Sequence, residues 1–554
     1  MITRTMAIAV AVGLAGGLAI PCIADESWVP AGWKVADSAG WKVERPAADK
    51  LAAKQHLKFN NGAEPETLDP QLMTGVPEHT IAMAMFEGLT NPHPRTLEPM
   101  PGVAVSWAIS PCLTCYRFRI REGLTWSNGD PLTAEDFVRS WKRVLDPKLA
   151  AQYAYQLYPL QNAEEYNKQV DGKPVAFEQV GVKAIDPLTL DVKLKAPTPY
   201  FLQLTYFETL FPVHIATIEK HGIAWTRPEN IVANGPFRLV DHKPRQHIKL
   251  AKSETYWDRA NVALTEVEID PADDTNASMN RYLNDELDWI RAVPASRIDE
   301  AKKHPDYFVQ AYLGAYFYAF NVKDKPFDDV RVRRAFSLAT HRAQICRDVL
   351  KSGEIPATRH TPPGIHGYPD FAGDDFDPIA ARKLIGEAGY PDGKGFPEVE
   401  LLYNTNESHK LVAEAIVSIW KQALGVTVKL RNAEWKVYLD EVDHLKYQVA
   451  RRGWIGDYGD PNTFLDMFVT GGGNNNTGWS NAEYDALIKQ AAETADPAAR
   501  MKVFEKAERI LIAELPILPI YHYVNKGFKS PLLKGWFENV RDLHPFQHLY
   551  MVDE

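Results

Sequence analysis

Segments with the period of β-strands alternate with segments with the period of α-helices along most of this chain. This alternation constrains the fold most strongly, because it predicts an α/β or mixed α+β architecture. The chain has 554 residues, and at roughly 100–200 residues per domain it is expected to form about three domains. We find no internal repeat and no low-complexity segment.

Strand patterns and helix patterns can be assigned to specific segments. Strands are predicted at 56–61, 116–121, 399–403 and 426–430, with a hairpin over 180–194 and a sharp turn at 234–236. Helices are predicted at 80–86, 133–145, 329–350, 380–388 and 409–424, and two more over 484–514. Residues 25–55 show no period and are expected to form an exposed leader.

Composition narrows the class of protein. Hydrophobic residues make up 45% and charged residues 24%, which is ordinary for a globular protein and fits poorly with disorder, collagen, a coiled coil or a polytopic membrane protein. The net charge of −10 argues against a nucleic-acid binder, which would need a basic face.

The first 24 residues have the pattern of a secretory signal peptide. Arg4 precedes an apolar stretch over 6–20, and small residues up to Ala24 fit a cleavage site. Lipidation of Cys22 is an alternative, but Pro21 fits the required small residue poorly. No later run of about 18 apolar residues follows, so the mature chain is expected to be exported, in the periplasm of a Gram-negative-type envelope.

The remaining cysteines suit an exported protein. Cys112 and Cys115 are separated by two residues, a spacing that can close as a local disulfide in an oxidising compartment. Free thiols or a functional dithiol are the alternatives, whereas zinc would need two further ligands nearby. Cys346 lies in an apolar helical stretch and is expected to be a buried free thiol.

A long motif resembles a known family. It comprises Trp107, 116–121, Gly123, Trp126, 128–129, 133–134, 136–137 and Trp141. Further matches follow in order at 60–62, 68–70, 86–89, 234–236, 329–333, 402–405 and 453–461. The pattern resembles the extracytoplasmic solute-binding proteins of the peptide/nickel class of ABC importers, over essentially the whole mature chain. Within that class it is most similar to the oligopeptide-binding and murein-peptide-binding members.

The resemblance implies a hinged fold of two discontinuous lobes with an additional third domain. Carried onto this chain, lobe I would be 25–86, 213–313 and 524–554. The extra domain would be 87–212, and lobe II would be 314–523. No cofactor, metal or catalytic residue is implied.

A receptor for varied peptides must read the amine, the carboxylate and the backbone. The resemblance assigns Asp457, in a Gly-Trp-x-x-Asp-Tyr motif, to the α-ammonium; a charge-assisted hydrogen bond of this kind contributes roughly 1.5–3 kcal/mol. It assigns Arg451 and His409, and more loosely Lys351, to the carboxylate. From the residues alone, Asp457 could equally be a turn former, Arg451 a surface strand residue and His409 a helix cap.

Backbone contacts and side-chain pockets are assigned in the same way. The segments Thr74-Gly75-Val76 and Gly453–Ile455 match stretches that pair with an extended ligand, and the two glycines would let its backbone approach. Tyr153, Tyr312 and Trp454 match pocket or lid positions, although aromatic residues there could simply be core.

Three departures from the family pattern stand out. A disulfide found in some relatives is absent, because its positions are Gly314 and Ile455 here. An acid before Gly75 is replaced by Thr74, and Arg291 lies where amides line the cleft in relatives. A lost acid and a gained base would favour acidic ligand side chains, which is a hypothesis.

The predicted function is therefore a monomeric periplasmic receptor, not an enzyme, that delivers short oligopeptides to a membrane-embedded ABC permease. Murein tripeptide, dipeptide, nickel-complex or haem binding, and a chaperone role, are alternatives. A secreted hydrolase is disfavoured because neither Gly-x-Ser-x-Gly nor His-Glu-x-x-His occurs. His544 and His548 flank Pro545, which disfavours a metal-binding helix.

Overall fold

The computed structural model describes residues 28–36, 43, 50–169, 175–494 and 496–553. The predicted signal peptide, with Cys22, lies outside the described residues. The strands are β1 (Lys34–Val35), β2 (His56–Asn60), β3 (Thr90–Pro92), β4 (Pro99–Pro101), β5 (Ala104–Ile109), β6 (Cys115–Ile120), β7 (Val182–Asp186), β8 (Thr189–Lys193), β9 (Phe237–Lys243), β10 (His247–Lys252), β11 (Glu266–Asp270), β12 (Trp289–Ile290), β13 (Tyr307–Phe320), β14 (Ile355–Pro356), β15 (Val399–Asn404), β16 (Val428–Ala433), β17 (Val449–Ile455), β18 (Ile517–Lys529), β19 (Leu533–Lys534) and β20 (Tyr550–Met551).

The α-helices lie between these strands, as the alternating sequence pattern predicts. They are α1 (Val76–Met85), α2 (Ala134–Leu145), α3 (Ala163–Lys168), α4 (Phe201–Leu204), α5 (Ile215–His221), α6 (Thr275–Leu283), α7 (Ile298–Ala301), α8 (Val330–Ala339), α9 (Arg342–Gln344), α10 (Pro378–Glu387), α11 (Glu407–Leu424), α12 (Trp435–Asp443), α13 (Asn462–Leu465), α14 (Ala482–Glu493) and α15 (Pro497–Glu514). A π-helical turn, Ile345–Leu350, follows α9. The mixed helix and sheet class is confirmed.

One large sheet runs through the molecule in the order β16-β15-β17-β13-β18-β12-β2-β11-β10-β9, with β14 attached to β18. The long antiparallel strands β13 and β18 lie at its centre. They pair with each other, and β13 also pairs with β17 on one side while β18 pairs with β12 on the other. A separate five-stranded sheet has the order β1-β5-β6-β8-β7. The segment expected to be an exposed leader contributes an edge strand to this sheet, because Lys34 and Val35 pair with Ile109 and Ala108.

The hydrophobic cores follow the same division. One core is built almost entirely from residues between Leu89 and Leu210 and covers the five-stranded sheet. A second joins residues 57–86, 211–308 and 532–551, and two further cores are built mainly from residues 313–523. The second core in particular joins three segments that are distant in sequence.

The best-predicted elements have strong local signals. In β6, Tyr116, Phe118 and Ile120 are buried and alternate with less buried arginines, as a strand with one core face requires. The helix α2 begins after Thr133, whose hydroxyl and backbone amide both donate to the Asp136 carboxylate at 3.0 and 2.7 Å. This arrangement satisfies helix N-terminal groups and fixes where α2 begins.

The predicted Cys112–Cys115 disulfide is wrong, since both cysteines are free thiols. The Cys112 sulfur lies 3.2 Å from the Ser110 hydroxyl and 3.0 Å from the Thr114 hydroxyl. Cys115 instead begins β6, where it pairs with Lys193. Cys346 is a buried free thiol, as predicted.

Candidate ligand-binding cleft

A cavity of about 370 Å³ lies beside the centre of the large sheet, within the size range of small-ligand sites. It is bordered by α1, the middle of β13 and of β18, the C-terminal part of β17, and the 3-10 helix Gln152–Leu157. All the predicted ligand residues except Lys351 line it, namely Thr74, Gly75, Val76, Tyr153, Arg291, Tyr312, His409, Arg451, Gly453, Trp454, Ile455 and Asp457.

Asp457 follows β17 and is only 6% exposed. Its backbone amide donates to the Thr463 hydroxyl at 2.9 Å. Its Oδ2 accepts from the Gln156 amide at 2.9 Å and from the Thr463 hydroxyl at 3.3 Å. Both side-chain hydrogen bonds reach Oδ2, which leaves Oδ1 for a ligand.

The pKa of Asp457 is raised to about 8, chiefly by burial and also by the nearby Glu208 carboxylate, although the Arg541 charge and the two hydrogen bonds oppose the rise. Asp457 is thus a carboxyl group in a low-dielectric cavity that favours its neutral form, and in the described part of the chain no lysine or arginine lies within ion-pair distance of it. Such a group gains stability when a cationic ligand arrives.

Arg451 supplies the complementary charge. Its guanidinium donates to the Tyr523 hydroxyl at 2.5 Å and to the Asn404 side chain at 3.2 Å, and it lies 4.8 Å from the centre of the Tyr316 ring. Its Nε is buried without a partner. Among the described residues it has no carboxylate within ion-pair distance, so a ligand carboxylate would meet an uncompensated cation.

His409 lies next to Arg451 but does not carry a charge. Burial, assisted by the Arg451 charge, lowers the pKa of His409 well below its usual value. Its Nδ1 is buried without a partner. In this state His409 can donate or accept a hydrogen bond, but it is not the second cation that the sequence suggested.

Lys351 does not belong to the cavity. It follows the π-helical turn, is exposed, and its ammonium lies 3.6 Å from the Asp299 carboxylate. Its carbonyl accepts from Lys302 at 2.7 Å. We correct the prediction that Lys351 binds the ligand: its ammonium pairs with Asp299 at the protein surface.

The two cleft glycines make room for the protein's own side chains. A Cβ at Gly75 would lie 2.2 Å from a Glu78 carboxylate oxygen, and one at Gly453 would lie 2.5 Å from the Tyr523 hydroxyl. Both glycines also line the cavity, and the approach of a ligand backbone at these positions stays a prediction. Thr74 and Val76 flank Gly75 on the cavity wall.

Arg291 is neutralised within the cavity wall. It donates to the Asp542 carboxylate at 2.6 and 3.1 Å and to the Thr80 hydroxyl at 2.8 Å. Asp542 also contacts His544 at 2.7 Å. Because Asp542 offsets the arginine charge, Arg291 is not the free base on which a preference for acidic ligands was argued.

Aromatic residues connect the walls. Tyr153 packs 6.0 Å from Trp454 and 5.2 Å from Phe207, and Tyr312 packs 6.1 Å from Tyr523, measured between ring centres. Tyr153 and Trp454 come from opposite sides of the cavity. Each also contributes to a core, and their role as a pocket or lid stays a prediction.

Sequence reasoning missed several polar residues of the cavity. Asn404, Tyr523, Glu208, His79 and Arg541 line it. Asn404 lies within the 402–405 family match but was not predicted to contact a ligand, and the other four residues lie outside the matched segments and come from separate parts of the chain. Glu208 in particular follows Tyr206-Phe207, an aromatic pair that reads as core, so no local signal marks it.

Hydrogen bonds cross the cleft away from the cavity centre. Gln152 donates to Asp443 at 2.6 Å, and Asn276 and Ser296 both donate to Glu407 at 2.6 and 2.5 Å. The rings of Tyr200 and Tyr458 stack at 4.2 Å. The two sides of the cleft are therefore in direct contact.

Comparison with known proteins identifies the family to which this chain belongs. The family model for bacterial extracellular solute-binding proteins, family 5, middle region, matches residues 98–476. The chain belongs to this family. Its members are solute-binding receptors and not enzymes, so this solute-binding protein has no catalytic role to assign.

Individual relatives extend over nearly the full length. The periplasmic oligopeptide-binding protein OppA of Salmonella typhimurium is 36% identical over 528 residues, 93% of this chain and 95% of the relative. The crystal structure of Haemophilus influenzae OppA in complex with the peptide RPPGFSPFR aligns with a TM-score of 0.86 at 34% identity, covering 91% of this chain and 100% of that one.

The murein tripeptide-binding protein MppA of Escherichia coli offers a comparison of two conformations. One structure aligns with a TM-score of 0.88 at 34% identity, covering 91% of this solute-binding protein and all of MppA. A second, described as its unliganded open form, aligns with a TM-score of only 0.62, covering 91% of this chain and 98% of that one.

Within the described residues, no helix is long and apolar enough to span a bilayer.

Proposed function

We propose that this solute-binding protein captures short peptides with a free amino terminus and delivers them to an ABC permease. The observation that carries the proposal is the buried Asp457 carboxyl group, which lines the cavity and, among the described residues, has no lysine or arginine within ion-pair distance. Arg451, buried without a carboxylate partner among the described residues, offers a site for the opposite end of a zwitterion. The named relatives bind peptides, which supports the same conclusion.

We propose that the lobes are 25–86, 213–313 and 524–554 for lobe I and 314–523 for lobe II, with 87–212 as the extra domain. The pairing of β13 with β18 supports the crossing points, because its register is interrupted between Ala311 and Ala315. Irregular pairing removes ladder hydrogen bonds and lets a strand pair bend. Both crossings lie at this interruption, which suits a hinge.

A peptide would close the lobes by contacting both. Asp457 and Arg451 belong to lobe II, whereas α1 and Arg291 belong to lobe I, so a bound ligand joins them. Moving an open–closed equilibrium from 1:99 to 99:1 requires roughly 5.5 kcal/mol of differential affinity. Two charge-assisted contacts and pairing with the peptide backbone are of that order.

A second candidate for the cargo is a murein tripeptide or a dipeptide, since MppA aligns as well as OppA does. The same amine and carboxylate contacts serve either cargo. The periplasm, export by cleavage after Ala24, a monomeric state and a permease that recognises the closed lobes complete the proposal.

The experiment is to export the protein from a Gram-negative host, purify it without denaturation and identify the co-purified small molecules by mass spectrometry. Calorimetric titration after ligand removal then tests the identified compounds beside a tripeptide library. Peptides with a free amino terminus are expected in both assays. Recovery of a non-peptide ligand, with no heat from any tripeptide, would refute the proposal.

A further inference from the structure

The amine end of the cavity contains a second buried carboxylate, Glu208. Its side chain is 2% exposed and lies on the cavity wall. Its Oε2 lies 2.6 Å from Nδ1 of His79, and no lysine or arginine is within ion-pair distance of it in the described part of the chain. The Nε2 of His79, also on the cavity wall, is buried without a partner.

Arg541 is the nearby cation, but its hydrogen bonds do not go to either acid. The guanidinium is buried and donates to the Gly456 carbonyl at 3.0 Å and to the Tyr206 hydroxyl at 3.4 Å. It lines the same cavity as Asp457 and Glu208. Its positive charge acts on Asp457 through space more strongly than any other charge does.

The charges at this end can be added. Asp457 and Arg541 alone would sum to zero, and an arriving ammonium would leave one uncompensated positive charge in a buried site, which is costly. With Asp457 and Glu208 both ionised, the two acids and Arg541 sum to one net negative charge. One α-ammonium then makes the site neutral.

We propose that Glu208 is a second acceptor for the ligand's α-ammonium, required because Arg541 already offsets the charge of Asp457. An ammonium has three N–H donors, so it can satisfy Asp457 Oδ1 and a Glu208 oxygen together. His79 is the positioning residue that holds the Glu208 carboxylate toward the cavity. This inference rests on the proposed peptide function and adds a residue to its recognition site.

The first test replaces Glu208 by its neutral isostere. In calorimetric titration with trialanine, Glu208→Gln is expected to weaken binding about 10- to 100-fold, as for a charge-assisted hydrogen bond. Binding of N-acetyl-trialanine, already weak, is expected to change less than about twofold. Equal losses for both peptides, or no loss for either, would overturn the inference.

The second test uses charge balance as the readout. Because Arg541 is the offsetting cation, the double variant Glu208→Gln/Arg541→Gln again carries one net negative charge at Asp457. It is expected to recover most of the trialanine affinity lost in Glu208→Gln. A purely structural role for Glu208 predicts instead that the double variant binds no better than the single one.

A third measurement applies even if the double variant does not fold. The Glu208 charge contributes to the raised pKa of Asp457, so wild-type protein is expected to release more protons on binding trialanine at pH 7 than Glu208→Gln does. Titrations in buffers of different ionisation enthalpy count those protons. Identical proton release in the two proteins would contradict the assignment.

These outcomes separate the two proposals. If wild-type protein binds no free peptide, the peptide function itself fails. If wild-type protein binds trialanine and Asp457→Asn does not, while Glu208→Gln binds like wild type, the function stands and only the Glu208 assignment fails.

Discussion

At the residue scale, the central group is a carboxylate kept in a place that disfavours its charge. The pKa of Asp457, about 8 because of burial first and the Glu208 charge second, lies well above the value of about 3.9 expected for an unfolded chain. The folded state therefore holds this proton more tightly than the unfolded state does. Between roughly pH 4 and pH 8, Asp457 is ionised in the unfolded chain but protonated in the folded protein. Raising the pH through this range therefore destabilises the empty protein.

This sign leads to a stability prediction for Asp457→Asn. The wild-type free energy of unfolding should fall as pH rises from 5 to 8, with Asp457 contributing up to about 1.4 kcal/mol per pH unit. The variant should lack that contribution and be at least as stable as wild type at pH 8. Urea unfolding of peptide-free protein at both pH values checks this, and an unchanged pH slope in the variant would contradict it.

The same group predicts how peptide affinity depends on pH. Below pH 7, both the free Asp457 carboxyl and the free peptide amine, whose pKa is about 8, are protonated, but the bound pair holds only one proton. Affinity should therefore rise up to about tenfold per pH unit from pH 6, reach a maximum near pH 8 and then fall. Calorimetry with trialanine between pH 5.5 and 9.5 measures the profile. A flat profile would show that Asp457 does not pair with the amine.

Arg451 gives a prediction for the other end of the peptide. Arg451→Met should weaken binding of a peptide with a free carboxylate about 10- to 100-fold, because a buried charge-assisted contact is lost. The matching peptide amide should bind the variant and wild type alike, which makes it the internal control. The folded protein should be no less stable, because replacing a buried unpaired cation by an apolar side chain is often neutral or stabilising. Equal losses for acid and amide would remove Arg451 from the carboxylate site.

At the element scale, the strongest local patterns were predicted well and the elements defined by distant partners were not. The alternation of apolar and basic residues predicted β6, and Thr133 marked the start of α2. The long strand β18 escaped prediction because Pro516 and Pro519 read as breakers, yet Ile517–Lys529 is held between β13 and β12. The expected 329–350 helix is likewise divided after Ala339, where Thr340 is extended.

The candidate site likewise contains residues that one local motif predicted and residues that it did not. Asp457, Arg451 and their neighbours come from one strand and the turn after it, so a single motif carried them. Glu208, His79 and Arg541 come from three segments that only the folded chain brings together. Lys351 illustrates the converse, since a loose local match placed in the cleft a residue that the structure holds at the outer surface.

The helix α11 carries a contact that bears on closure. Glu407, its first residue, accepts from Asn276 and Ser296 across the cleft, without contacting the cavity. Glu407→Ala should favour the open form and weaken all peptides by a similar factor, about threefold to tenfold, because only the closed fraction binds. Glu414→Ala is the matched control, since Glu414 lies on the same helix and pairs with Lys410 of that helix at 3.9 Å. Calorimetry on several tripeptides checks this, and a loss confined to one peptide would contradict it.

At the scale of the whole molecule, the chain has the shape of a closed receptor. The closer similarity to one MppA structure than to the open form agrees with the direct contacts between Tyr200 and Tyr458 and between Gln152 and Asp443. The ligand's part is then to stabilise an arrangement that the protein can already form. Under the proposed function, its two end charges are neutralised by Asp457 and Arg451, which have no ion-pair partner among the described residues.

The central claim is that a buried acid in the cleft holds the amino terminus of a peptide. The most direct test is one calorimetric comparison on ligand-free protein, using trialanine and N-acetyl-trialanine with wild type and Asp457→Asn. Wild type should bind the free peptide at least about tenfold more tightly than the acetylated one, and Asp457→Asn should abolish that preference. Equal binding of both peptides to wild-type protein, or a preference that survives in Asp457→Asn, would contradict the account.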